Sequence, residues 1–87
     1  DPVLLKALGR AHEWRTWLEQ GEALSFQDLA SKAGVTPGYV QKVLPLAFLA
    51  PALTRELLDG RRRLHGGLMD RLNRGIPADW NQQFASF

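Results

Sequence analysis

His12 and Glu13 stand side by side as they do at the start of a zinc-protease helix, where a second histidine four residues on completes the metal pair. Here the fourth residue after His12 is Thr16. One imidazole does not make a zinc site, so no metal is expected. His65, the other histidine, is solitary and reads as a capping or surface residue. Ser25, Ser31 and Ser86 have no histidine and acid at a spacing that suggests a triad. No glycine loop followed by a lysine offers a nucleotide cradle. Cysteine is absent, which removes thiolate chemistry and disulfides and permits a reducing compartment. The chain is therefore expected not to be an enzyme and to use no cofactor and no small-molecule substrate.

The remaining polar residues are better suited to docking. Net charge is only +2, but eight of the 11 basic side chains fall between residues 32 and 74, against three acidic ones. That imbalance suits a polyanion. The run Arg61, Arg62, Arg63 reads as either a solvated loop or a phosphate contact. Its nearness to the motif described below argues for contact.

Elements must hold these residues in place. Eighty-seven residues, 45% of them hydrophobic, amount to one compact domain over 1–87, or one piece of a longer protein. No apolar run reaches the roughly 18 residues of a membrane span, so a soluble, cytoplasmic protein without a membrane partner is expected. "DPVLLKALGRAHEWRTWLEQG" predicts a helix with Asp1 as N-cap, Pro2 in the first turn and Gly21 past the end. Val3, Leu4, Ala7, Leu8, Ala11, Trp14, Trp17 and Leu18 form its buried face. "SFQDLASKAG" predicts a second helix capped by Ser25 and Asp28, stapled by Leu24 against Leu29 and stopped by Gly34. Thr36 then caps a third helix with Pro37 in its first turn, which Pro45 ends or bends. A fourth opens at Pro51 and closes at Gly60 with Leu53, Leu57 and Leu58 inward; a fifth runs from about Gly67 to Arg74; a last restarts at Pro77. No segment alternates, so the expected fold is all-α: a compact bundle of about five or six helices.

Within it, "LASKAGVTPGYVQKVL" has the pattern of a helix-turn-helix. Ala30 lets two helices approach, Gly34 makes the turn, and Val35, Val40 and Val43 fix the crossing from inside. The pieces "LASKAGVTPGYVQKVLPLAFL", "APALTRELLDG" and "HGGLMDRL" resemble the DNA-binding region of ParB/KorB-type proteins over about Glu13 to Leu72. With "RAHEWRTWLEQGE" and "IPADWNQQF" added, nearly the whole chain resembles a region near the C-terminus of some bacterial and phage serine recombinases. These resemblances imply double-stranded DNA as partner, a nucleoid location, and a parent that is a site-specific recombinase or a ParB/KorB-like regulator.

The recognition helix would run from about Thr36 to Leu44 in the major groove, exposing Thr36, Pro37, Gly38, Gln41 and Lys42. Gln41 can pair with an adenine edge, and Lys42 with guanine or a phosphate. Tyr39 either reaches DNA or packs in the core, with packing the stronger reading. Gln27, with the amides of the second helix, is placed to hold a phosphate. Lys32, Arg55 and Arg61, Arg62 and Arg63 would be further backbone contacts. The stripe Trp80, Phe84, Phe87 either folds back onto the domain, which is preferred, or docks on a second copy as a homodimer reading paired half-sites. The alternative function is a protein interaction or oligomerisation module that reuses the same fold.

Overall fold

A computed structural model of the chain describes residues 2–64 and 66–87; Asp1 and His65, with the capping roles expected of them, lie outside the described residues. Those residues form α1 (Pro2–Glu19), α2 (Phe26–Ala33), α3 (Pro37–Val43), a 3₁₀ segment (Leu44–Phe48), α4 (Pro51–Leu58), α5 (Gly67–Arg74) and α6 (Trp80–Ser86). No strand occurs among them, and the fold is all-α.

α1 is the spine. Leu4, Ala7, Leu8, Ala11 and Trp14 recur at three- and four-residue spacing and are buried against the 3₁₀ segment, α2 and α3. Trp17 and Leu18 are partly buried against the same core. Val3 was expected on this face but is 62% exposed, because it lies in the first turn at the edge of the stripe.

Each end of α2 is set by a short-range bond. The Ser25 hydroxyl accepts from the Asp28 amide at 3.0 Å, and the Asp28 carboxylate accepts in return from the Leu24 amide at 2.9 Å. At the other end Gly34 takes φ +72°. Its amide and that of Val35 reach back to Ser31 and Ala30 carbonyls, closing the helix as a Schellman turn. The expected staple is absent: Leu29 is wholly buried, but Leu24 is 84% exposed, its backbone held by Asp28 and its side chain turned to water.

The Leu24 amide, and beyond it the Lys32 ammonium, hold the Asp28 carboxyl below the usual carboxylate range. A lowered folded-state pKa stabilises above the unfolded pKa and is lost as pH falls through the folded value. Asp28→Asn is therefore expected to lower the melting temperature at pH 6, with the gap from wild type closing progressively in acid below the ordinary aspartate range. Melts from pH 6 to pH 2 check this, and a gap that persists at pH 2 contradicts it.

Thr36 caps α3, its hydroxyl accepting from the Tyr39 amide at 3.2 Å. Val40 and Val43 are completely buried and fix the other side of the helix. Pro45 bends the chain rather than stopping it. Leu44 stays right-handed helical (φ −52°, ψ −39°) despite preceding proline, and the path tightens into the 3₁₀ segment, whose first turn needs no proline N–H. Leu46 and Ala47 from this segment, Leu53 and Leu57 from α4, and Leu68 and Leu72 from α5 complete the core. Leu58 was expected inward but is 49% exposed, since one residue past Leu57 turns it about 100° away.

α6 folds back onto the domain, as preferred above, but its aromatic stripe is not what enters deepest. Phe87 is buried and Phe84 partly so, while Trp80 is 55% exposed. The innermost residue is Gln83, 1% exposed. Its Oε1 accepts from the Ala50 amide at 2.8 Å, and its Nε2 donates to the Pro77 and Phe48 carbonyls at 2.8 and 3.4 Å.

Candidate nucleic-acid interface

α2 and α3 pack directly on each other, and α5 packs on α3. The α2–α3 unit carries Gln27, Lys32, Thr36, Pro37, Gly38, Gln41 and Lys42 exposed, and Tyr39 half-buried. Because Val40 and Val43 anchor the inner side of α3, the outer side is presented as a fixed surface. Its polar groups are donors and acceptors without a carboxylate on α3 itself.

Individual residues differ in how free they are. The Tyr39 ring meets Trp14 edge-to-face, centroids 6.2 Å apart and planes at 75°, so it braces α3 on α1. Lys32 bonds the Glu22 carbonyl and lies 3.4 Å from the Asp28 carboxylate, which draws its charge toward the α1–α2 loop. The same carboxylate occupies the first turn of α2, beside Gln27, where it accepts from the Leu24 amide and its negative charge opposes that of a phosphate. Lys42 donates to Asn73 Oδ1 on α5 at 2.8 Å. Gly38 has ordinary negative φ, and a Cβ added there would meet nothing within 4 Å. Helix geometry alone does not ask for glycine at that position, where it costs about 1 kcal/mol relative to alanine.

The basic residues beyond α3 are divided. Arg55 lies exposed in the last turn of α4. Arg61 is exposed and 2.9 Å from Asp59, and Arg63 is exposed. Arg62 turns inward: it donates to the Phe84 and Phe87 carbonyls at 3.3 and 3.1 Å, lies 3.4 Å from Glu56, and stacks 5.5 Å from the Phe84 ring. Its guanidinium ties the last turn of α6 to the loop after α4. Arg71 does the same from α5, donating to Ser86 and Gly75 carbonyls at 2.7 and 2.9 Å and lying 5.0 Å over the Phe87 ring.

Two concavities lie on either side of Phe48, of which only the first reaches α3. One, of about 470 Å³, is lined by Phe26, Gln41, Leu44, Pro45, Phe48, Ile76, Pro77, Ala78 and Gln83, and is mostly apolar. The other, of about 690 Å³, is lined by His12, Arg15, Phe48, Pro51, Thr54 and Trp80 among others. Arg15 there is bonded to Glu19 at 2.6 Å and stacked 4.7 Å from the Phe48 ring. Neither concavity brings a nucleophile, base and acid together. Among the described residues no three His, Cys, Asp or Glu side chains gather as a metal site, and no helix is long and apolar enough to cross a membrane.

Sequence reasoning did not single out Asn73, Gln83 or the grooves beside Phe48. Asn73 had no local signal, since its partner is 31 residues away. Comparison of the chain with protein-family models, with curated proteins and with solved structures finds no match.

Proposed function

We propose that this domain binds double-stranded DNA through α2 and α3 acting as a helix-turn-helix, with α3 in the major groove and no chemistry of its own. The observation that carries the reading is the two-sided character of α3. Val40 and Val43 lock one side into the core, and the other presents Thr36, Pro37, Gly38, Gln41 and Lys42 to solvent. The N-terminal half of that outer side is small and uncharged, which allows backbone to approach base edges closely, and a glycine that the fold does not require fits such an approach. Gln41 and Lys42 supply the base-reading groups, and Gln27, Lys32, Arg55, Arg61 and Arg63 the phosphate contacts. Tyr39 and Arg62 act indirectly, by bracing α3 and α6. The resemblance to ParB/KorB-type regions and to serine recombinases suggests the module of a bacterial or phage regulator or recombinase, working at the nucleoid.

The test is a fluorescence-anisotropy titration with a mixed-sequence duplex, from 50 to 300 mM salt. Affinity is expected to fall steeply as salt rises. Replacing Arg61 and Arg63 together with alanine is expected to reduce the log–log salt slope by about two, one for each phosphate no longer neutralised, without lowering the melting temperature. Arg62→Ala should instead destabilise the fold by about 1–2 kcal/mol, because it strips donors from the α6 carbonyls. A duplex that never binds at 50 mM salt defeats the proposal.

One observation favours a second reading, a protein interaction module. The 470 Å³ groove beside Gln41 is apolar and ringed by exposed Phe26 and Phe48, 39% and 51% accessible. Concentration-dependent mass in solution without affinity for duplex would select that reading.

A further inference from the structure

Lys42 and Asn73 sit on helices that pack together, and the Lys42 ammonium donates to Asn73 Oδ1 at 2.8 Å. Both side chains are exposed. An exposed bond of this kind stabilises a fold by about 1 kcal/mol at most, and holding a lysine still costs rotamer entropy of similar size. Its larger effect is on what the two residues can offer a partner. A carboxamide has one acceptor oxygen and two N–H donors, and an ammonium has donors alone. The bond to Asn73 Oδ1 takes up one of the three Lys42 donors and fixes where the ammonium sits at the edge of α3, and the donors left on that ammonium are all it offers a partner.

Base edges in the major groove differ in a defined way in what they offer such an ammonium. Adenine presents an acceptor, N7, next to a donor, N6–H₂, and satisfying both takes a group that accepts as well as donates. Guanine presents two acceptors, N7 and O6. The Gln41 side chain, one residue before Lys42, is exposed, and its carboxamide can both donate and accept. The two neighbouring positions on α3 therefore differ: Gln41 is matched to adenine, while the Lys42 ammonium, held in place by Asn73, is matched to guanine.

We propose that Asn73, from outside the α2–α3 unit, is a positioning residue for specificity: it aligns Lys42, whose donor-only ammonium selects guanine over adenine. This rests on the DNA-binding reading given above. The N-terminal part of α5 bears Asp70, whose carboxylate is 3.1 Å from Arg74, so the negative charge nearest Asn73 on its own helix is paired.

The experiment starts from selection of bound sequences out of a randomised duplex library with wild type, Gln41→Ala, Lys42→Ala, Asn73→Ala and the Lys42→Ala/Asn73→Ala double variant. Affinities are then measured on the wild-type consensus duplex and on the same duplex with each guanine changed to adenine. Wild type is expected to favour guanine about tenfold at one position. Asn73→Ala and Lys42→Ala should each reduce that preference to twofold or less at the same position, and the double variant should lose no more than either alone. Gln41→Ala should alter a different position. Melting temperatures within about 2 °C of wild type establish that the exposed substitutions leave the fold intact. If wild type shows base preferences and Asn73→Ala keeps all of them, or loses affinity equally on every duplex, the role of Asn73 is refuted while DNA binding stands. If wild type binds no duplex, both fall together.

Discussion

Replacing Gln83 with leucine is expected to destabilise the domain by about 3 kcal/mol, lowering its melting temperature by roughly 15 °C. The leucine preserves most of the volume, so the loss is not a cavity effect. It removes one acceptor and one double donor from a site that is 1% exposed, leaving the Ala50 amide and the Pro77 and Phe48 carbonyls without their partner. Each buried group so stranded costs about 1–3 kcal/mol. Gln83→Ala adds a void and should cost about 1 kcal/mol more. Gln83→Glu separates the two halves of the effect, since a carboxylate still accepts from Ala50 but no longer donates to Pro77. Urea denaturation of the three variants measures this. A change below 1 kcal/mol for the leucine variant contradicts the role given to Gln83.

Gln41→Ala combined with Lys42→Ala is expected to weaken binding to the selected duplex about a hundredfold and to leave binding to unrelated duplex within a few-fold. Two base contacts at about 1–3 kcal/mol each set that scale. Neither side chain is buried, and alanine is the better helix former, so the loss cannot come through unfolding. The number to watch is the ratio of the two affinities. If it is unchanged, the outer side of α3 does not read bases, and the groove beside Gln41 becomes the better guide to function.

Most of the architecture could be read from the sequence because its signals are local. Ser25, Thr36 and Gly34 mark helix ends through bonds spanning three to five residues, and those bonds are present. α5 spans Gly67 to Arg74, the predicted bounds. The errors share a cause. Val3 and Leu58 are apolar residues at the margin of a helical stripe, where burial depends on what neighbouring elements cover. Leu24 has the spacing of a staple, but spacing does not say which way a flanking side chain turns. Arg62 looks the same as Arg61 and Arg63 in the sequence, and the carbonyls that turn it inward lie 22 and 25 residues away. Gln83 is a polar residue among polar residues, and it becomes the deepest part of α6 through backbone groups of Phe48 and Ala50 that no periodicity announces. Of the candidate site, the exposed side of α3 was legible from helical spacing. The coupling of Lys42 to α5 was not.

The bond from the Ala50 amide to Gln83 has a consequence for motion. In most of a helical domain an amide proton is shielded from solvent exchange by a carbonyl of its own helix, so its exchange reports on that helix alone. The Ala50 amide is held by a side chain from a helix 33 residues further on. Its proton is released when α6 lifts away, whether or not α1 to α4 remain folded. That single amide is a clock for the opening of the C-terminal helix, built into the joint between the 3₁₀ segment and α4.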